Sequence, residues 1–362
     1  MTTLLYSIKP VWVTSSLTTV AAPAEVALGN FDGIHLGHQQ VIQAVLHDAT
    51  AQADVPALAR REVSLQGDRS IEDSSLPPDR DGHHTYATVV TFDPHPQEFF
   101  SGRKRTLLTP ISEKVEYLRT LGVEQLVLLP FDRELANWTP QEFVERVLVR
   151  SLNAKHVSVG ENFRFGRNRS GSVVDLQEIA ARYGIETSIV SLRRLEDDRI
   201  SSSIVRHALE LGSLAQANRL LGRPYRLMGT VVKGQQIGHQ LGFPTANLQL
   251  PPDKYLPRWG VYGVWVELLD SRSDMQKAKT LQNGKALLPG VMNVGCRPTV
   301  SGGQPTVEVH LLDWSGNLYD RTVIVHLMGF LRPEHKFNSL DTLKSQIQRD
   351  CEAARELLSR GG

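Results

Sequence analysis

The sequence predicts two domains in tandem: an α/β domain on a parallel sheet, then an all-β domain that forms a small barrel and ends in a helix. Three observations predict it. Between about residues 24 and 222, short apolar runs alternate with longer amphipathic ones, the rhythm of strand–helix units and of a parallel sheet covered on both faces. After Gly222 come segments rich in Val, Leu and aromatics, separated by Gly, Pro, Asn and Asp, as in antiparallel strands. The length of 362 residues fits two units at roughly 100–200 residues each.

In chain order, residues 26–28 read as a strand. Val41, Ile42, Val45, Leu46 and Ala49 then recur at helical spacing. Further strands are expected at 87–92, 126–129 and 156–159, with helices around 114–121, 140–149 and 173–182. Residues 56–84 hold few large apolar side chains and many Asp, Arg, Ser and Pro. Such a stretch cannot bury enough surface to offset its ordering entropy, so it reads as a flexible surface insertion. Strands follow at 227–232, 261–269, 285–294, 306–312 and 323–330. In the last segment Leu343, Ile347, Cys351, Ala354 and Leu358 recur every three or four residues, the stripe of a helix packed on the barrel. The boundary falls near Arg223-Pro224, giving domains 1–222 and 223–362.

Composition excludes several classes of function. With 40 Lys+Arg against 39 Asp+Glu, the net charge is +1, so a protein that grips a nucleic-acid backbone is not expected. Small polyanions held by a few local donors remain open. The two cysteines, Cys296 and Cys351, form no disulfide framework or Cys-x-x-Cys site, and a reducing, cytoplasmic setting fits best. The first residues carry one Lys and no sustained apolar stretch, unlike a secretory signal. No run of 18 apolar residues occurs, so no membrane span is expected.

The 26–28 strand runs into Gly29-Asn30-Phe31-Asp32-Gly33-Ile34-His35-Leu36-Gly37-His38, where a helix begins. A helix N-terminus offers unpaired N–H groups to an anion. His35 and His38, three apart, project from one side of its first turn and can add donors. Gly33 and Gly37 allow close approach of the backbone. Alone, the pair also fits a capped helix with two surface histidines; for zinc, no third and fourth ligand lies nearby. The whole string resembles the HxGH nucleotidylyltransferase superfamily, which implies a Rossmann-like domain that joins a nucleoside triphosphate to a phosphate-bearing acceptor. Three more segments occur in order: Thr91-Phe92-Asp93-Pro94-His95-Pro96, then 160–166 (GENFRFG), then 200–206 (ISSSIVR). Singly they read as a Pro-stiffened turn, a loop with aromatics in the core, and an N-cap. Together they are similar to the GxFDGxHxGH, TFDPHP, GxNFxFG and ISSTxxR motifs of the bacterial FAD synthetase module.

The second domain opens with Gly229-Thr230-Val231-Val232-Lys233-Gly234 and continues through Gly238 to Pro244-Thr245-Ala246-Asn247. A Gly-rich loop with a Lys can wrap phosphate, though no Walker motif is present. Thr245 and Asn247 offer oxygen ligands for Mg²⁺, or form a plain turn. Glu308 alternates with Val307 and Val309, so it shares a face with His310. It is placed either to take a proton in phosphoryl transfer or simply to meet water. Residues 331–337 read as a charged loop before the last helix. These segments resemble the riboflavin kinase fold, and the order of the two halves resembles the bifunctional bacterial riboflavin kinase/FAD synthetase family over about residues 24–358.

The resemblance implies phosphorylation of riboflavin to FMN and adenylylation of FMN to FAD, each with ATP and Mg²⁺. It implies ATP-phosphate contacts at Gly29, Phe31, Asp32, Gly33, His35, Gly37, His38, Ser201, Ser202 and Arg206 in the first domain. In the second it implies them at Lys233, Gly234, Gly238, Thr245 and Asn247, with Mg²⁺ on Thr245 and Asn247. Flavin contacts fall on Phe92, Asp93, Pro94, Asn162 and Arg332. Catalytic roles fall on His35, His38 and Arg206 for adenylyl transfer and on Glu308 as the base of the kinase. Two departures stand out: Ser203 replaces a threonine, and the 56–84 segment is longer than the family's usual link. Alternatives are a monofunctional riboflavin kinase or a non-catalytic flavin-nucleotide sensing module. A nucleic-acid or membrane partner is not expected, and a monomer or weak homo-oligomer is.

Overall fold

In the computed structural model, which describes residues 10–46, 84–191, 194–195, 198–234, 242–269, 280–282, 285–296 and 305–360, both predicted architectures are present. The first is a parallel sheet of β1 (Trp12–Thr14), β2 (Ala24–Leu28), β3 (Tyr86–Asp93), β4 (Gln125–Pro130), β5 (His156–Gly160) and β6 (Glu186–Val190), in the order β1-β4-β3-β2-β5-β6. Its connections carry α1 (Leu36–Gln43), α2 (Pro96–Ser101), α3 (Ile111–Leu121), α4 (Arg133–Asn137), α5 (Pro140–Phe143) and α6 (Val173–Ala181). Strands β2 and β5 are buried on both faces, as a position between helix layers requires.

One predicted helix is different in kind. Residues 140–149 read as a single α-helix, but only Pro140–Phe143 is α-helical, started by a capping box between Thr139 and Glu142. Val144–Ser151 then widens into a π-helix, and Val144, Val147 and Leu148 stay buried. The widened turns thus keep the apolar stripe inward. The first predicted helix ends at Gln43, earlier than its apolar spacing suggests, and Ala49 lies outside the described residues, as do residues 56–83 of the expected insertion.

A short hairpin, β7 (Arg194–Leu195) and β8 (Asp198–Arg199), leads to α7 (Ser202–Leu211) and α8 (Leu214–Leu221). Then follow β9 (Tyr225–Val232), β10 (Ala246–Gln249), β11 (Gly260–Leu268), β12 (Thr280–Gln282), β13 (Lys285–Cys296), β14 (Pro305–Leu311) and β15 (Thr322–Pro333). These strands pair in the order β11-β15-β9-β10-β14-β13, and antiparallel pairing of β11 with β13 closes the barrel, with β12 extending β13. Alternate residues point inward: Leu227, Val231, Tyr262, Val264, Met292, Val294, Val307, Val309, Val325 and Leu327 form one core. Val205, Ala208, Leu209, Ala217, Leu220 and Leu221 of α7 and α8 belong to the same core. The terminal helix Leu340–Arg360 covers another part of the barrel, burying Cys351, Ala354 and Leu358. There it meets Val261, Val291 and Leu312. Among the described residues no helix is long and apolar enough to cross a membrane.

The chain groups into two compact units. One is drawn from Met1–Phe31, Gly37–Arg105 and Lys114–Leu192; the other from Asp32–Leu36, Thr106–Glu113 and Arg193–Gly362. Within the second, a buried ion pair fastens the Thr106–Glu113 segment to the barrel. Lys254 Nζ lies 2.7 Å from Glu113 Oε2, with both side chains 1% exposed. The same ammonium donates to Leu108 O at 2.8 Å and stands over the Tyr225 ring. Glu113 Oε1 accepts from Met228 N of β9 at 3.1 Å, and Glu113 O accepts from Arg226 Nη2 at 2.8 Å. Removing one partner would strand a buried charge. Lys254→Met should therefore lower stability by about 3–5 kcal/mol in urea unfolding. A second change, Glu113→Leu, should recover part of that loss; two fully additive losses would contradict a coupled pair.

Candidate functional sites

Each element is placed by ordinary physics, and so are the residues it carries. In an open parallel sheet, ligands bind beyond the carboxyl ends of the strands, where neighbouring connections leave in opposite directions. Here that point lies between β2, which leads to β3 on one side, and β5, which leads to β6 on the other. The loop after β2 begins at Gly29, whose N–H donates to Val90 O at 3.1 Å. Asn30 O accepts from Thr91 Oγ1 at 2.9 Å and from Lys114 Nζ at 3.1 Å. Sequence reasoning missed buried Lys114; at the start of an amphipathic helix it reads as a solvated charge. Gly37 and His38 lie in the first turn of α1, and the His38 ring meets buried Phe31 edge-on at 5.3 Å.

The end of β3, with Pro94 just after it, and the turn after β5 carry the flavin candidates of this unit. Phe92 packs edge-on against Phe131 at 5.7 Å, and Phe131 in turn meets Phe99 and the exposed Phe100. Asp93 and Pro94 are exposed, and the peptide between them is cis. Asn162 is exposed in the turn after β5, whereas Phe163 and Phe165 stack at 5.7 Å and lead into the core beside Phe143.

In the second unit the turn Asp32–His35 is held from several sides. Asp32 is 4% exposed; its Oδ1 accepts from Thr109 N at 3.3 Å and its Oδ2 from Arg206 Nη2 at 2.6 Å. The same Nη2 donates to Thr106 O at 2.7 Å, and the guanidinium lies 4.6 Å over the Tyr255 ring. Ser202 Oγ donates to Asp32 O at 2.7 Å, and Ser201 caps α7 by accepting from Ile204 N. Gly33 has φ +90°, and a Cβ there would stand 2.9 Å from Leu108 Cδ1. His35 is buried. Burial pushes its pKa down from 6.5 to about 4, so the ring is neutral at pH 7 and offers an N–H rather than a positive charge.

On the barrel, strand register assembles the second set. Asn247 of β10 lies opposite Glu308 of β14, and Glu308 lies opposite Asn293 of β13. Directly opposed residues share a face. Val307 and Val309 point into the core, so Glu308 is on the outer face with both asparagines. Asn293 was not among the expected site residues, although its motif was visible. Lys233 and Gly234 follow β9, and a Cβ on Gly234 would collide with the Asn247 carboxamide. Thr245 immediately precedes β10. His310 on the same face as Glu308 bonds Pro244 O through Nδ1 at 2.8 Å and meets Phe243 edge-on, fixing the chain just before Thr245. Arg332 is engaged by the terminal helix: Nε and Nη2 donate to the two Asp350 oxygens at 2.8 and 2.7 Å. Gly238 lies outside the described residues. Among the described residues, no group of three or more His, Cys, Asp or Glu side chains could hold a metal.

A family model described as FAD synthetase matches residues 18–59 and 79–204, and one described as riboflavin kinase matches 221–358. The gap between 59 and 79 falls inside the polar segment at 56–84. The chain is 37% identical over 339 residues to a bifunctional riboflavin kinase/FMN adenylyltransferase of Escherichia coli (strain K12), spanning 92% of this chain and 94% of the relative. It is 31% identical over 339 residues to the protein of the same name from Bacillus subtilis (strain 168), spanning 92% of each. It is also similar to a crystal structure titled a macrolide-efflux protein from Streptococcus pneumoniae, with TM-score 0.71 and 28% identity, covering 95% of this chain and 98% of that one.

The buried His35 makes stability depend on acid. Its folded pKa of about 4 lies below the ordinary 6.5, so between those values the unfolded chain binds more protons. The contribution is complete above pH 6.5 and is lost as pH falls toward 4, by up to about 3 kcal/mol. Urea midpoints measured across that range should fall less steeply with acid in His35→Gln than in the unaltered protein. Parallel profiles would show that His35 titrates normally.

Proposed function

Because the chain belongs to the family of bifunctional riboflavin kinases/FMN adenylyltransferases, we propose that it converts riboflavin to FMN and FMN to FAD, using ATP in both steps. The second unit's row of Asn247, Glu308 and Asn293 is the observation that most supports the kinase half. The start of the loop after β2, at the switch point of the first unit's sheet, supports the other. In the division we propose, residues 1–222 carry adenylyl transfer and 223–362 carry phosphorylation.

In the kinase step the terminal ribityl hydroxyl of riboflavin attacks the γ-phosphorus of ATP. The new O–P bond forms as the bond to the β,γ-bridging oxygen breaks, ADP leaves, and the hydroxyl proton passes to Glu308. Lys233 and Gly234, with Gly238, serve the phosphates. Thr245 and Asn247 would hold Mg²⁺. Their hydroxyl and carboxamide oxygens suit a hard cation that keeps several waters and takes phosphate oxygens as further ligands. The ion would neutralise charge on those phosphates. Arg332 would act on the flavin side through the segment it fastens to the terminal helix.

In the adenylyl step an FMN phosphate oxygen attacks the α-phosphorus, the bond to the α,β-bridging oxygen breaks, and pyrophosphate leaves. The attacking oxygen is already ionised, so no strong base is needed and alignment with charge stabilisation carries the step. His38 and the neutral His35 would donate hydrogen bonds to the triphosphate from the helix start, with backbone N–H groups of Gly29–Gly37. Ser201, Ser202 and Arg206 would serve the same phosphates, directly or through Asp32. Phe92, Asp93, Pro94 and Asn162 would receive the flavin nucleotide. We place the reaction in the cytoplasm, in a monomer or weak homo-oligomer.

Purified protein incubated with riboflavin, ATP and Mg²⁺ should yield FMN and then FAD on chromatography, and neither product should form when EDTA removes the metal. Absence of both flavins with Mg²⁺ present would refute the proposal. His38→Ala should slow FAD formation about 10²–10³-fold and spare FMN formation. Glu308→Gln should slow FMN formation about 10²–10⁴-fold while supplied FMN is still adenylylated. Gly234→Ala, which displaces Asn247, should raise the KM for ATP in FMN formation about tenfold; an unchanged KM would remove Asn247 from the ATP site.

A further inference from the structure

Arg223 joins the barrel to the turn that precedes His35, and no motif points to it. Its backbone is rooted on the barrel. The Arg223 N–H donates to Asn218 O at 3.2 Å. The Asn218 carboxamide is itself fixed at both ends, accepting from Tyr225 N at 2.7 Å and donating to Leu327 O of β15 at 2.9 Å. From this anchor the guanidinium reaches back along the chain. Nη2 donates to Gly33 O at 2.8 Å and Nη1 to Ile34 O at 3.1 Å.

Those two carbonyls belong to the peptides immediately before His35. The backbone there is strained at Ile34, whose φ is +41°, a conformation that a β-branched residue rarely adopts. Such a residue persists only where its surroundings over-determine it. A planar guanidinium bonded to both carbonyls fixes two successive peptide planes at once. The second of them carries the His35 nitrogen.

We infer that Arg223 is a positioning residue for adenylyl transfer: by holding the Gly33 and Ile34 carbonyls it sets the peptide from which His35 projects. The inference rests on reading His35 as a donor to the ATP phosphates. It assigns to a residue at the start of the riboflavin kinase match a part in the other reaction.

Steady-state kinetics of both reactions test it, with Arg223→Ala and Arg223→Lys in the full chain. In Arg223→Ala, kcat for FAD formation from FMN should fall about a hundredfold, while KM for FMN and kcat for FMN formation stay within about threefold of the unaltered protein. Arg223→Lys, whose compact ammonium cannot fork across both carbonyls, should lie between, about tenfold down. Unchanged FAD formation in Arg223→Ala overturns the inference, as does an equal loss of both activities, which marks a general structural role. If Arg223→Ala does not fold, Arg223→Lys decides: a kcat for FAD formation equal to that of the unaltered protein overturns the inference. An unaltered protein that makes FMN but no FAD overturns the underlying reading of His35, and this inference with it.

Discussion

The turn from Asp32 to His35 takes a backbone path that its own residues do not favour, and much of the second unit is arranged to hold it there. Ile34 has a positive φ of 41°, and such a residue costs on the order of 1–3 kcal/mol. The compensation is polar and comes from distant parts of the chain. Asp32 is bonded by Thr109 N–H and Arg206, its carbonyl by Ser202, and the next two carbonyls by Arg223. Hydrogen bonds to charged groups contribute about 1.5–3 kcal/mol each, enough to offset the strain. Helix α7 is therefore more than a cover for the core: its first turn places Ser202 and Arg206, and its buried face fixes that turn on the barrel.

The barrel solves a different problem. Among the described residues its interior is lined by Val, Leu, Met and the fully buried Tyr262, the apolar filling of a small barrel. Polar chemistry then has to stand on the outer face, and strand alternation puts it there. Glu308 is outward because its neighbours Val307 and Val309 are inward, and register alone sets Asn247 and Asn293 at its sides. The Arg332–Asp350 pair and the apolar stripe of the terminal helix close another part of that face. Enclosure and exposure on the barrel surface are thus decided residue by residue along each strand.

Much of this was legible in the sequence. Strands with strong apolar runs, such as β2, β3 and β5, stand where periodicity puts them, because burial on both faces leaves an unmistakable signal. The outward face of Glu308 follows from period two. Four features were not legible, each for a physical reason. The π-helix at Val144–Ser151 keeps the same inward residues as an α-helix, so its apolar pattern looks ordinary. Lys254 and Glu113, 141 residues apart, look like surface charges until the fold buries them together. Lys114 and Arg223 bond main-chain carbonyls, which every residue has, so their partners carry no side-chain signature. The association of α7 and α8 with the barrel core is likewise a tertiary fact, invisible to a reading that divides the chain where its rhythm changes.

That shared core bears on how the polypeptide can be cut for study. Helix α8 lies on β9 and β15, and its Leu220 and Leu221 are packed with Tyr225, Leu227 and Leu327. A fragment that starts at Arg223 would present this strip of the barrel to solvent and would lose Asn218, the side chain that ties Tyr225 to Leu327. One that starts ahead of Ile200 keeps the strip covered and carries Ser202, Arg206 and Arg223 with it, yet it strands the buried ammonium of Lys254 without Glu113. The better of the two cuts thus lies one helical hairpin upstream of the place where the sequence changes character, and a fragment that keeps the whole unit must also bring Asp32–Leu36 and Thr106–Glu113.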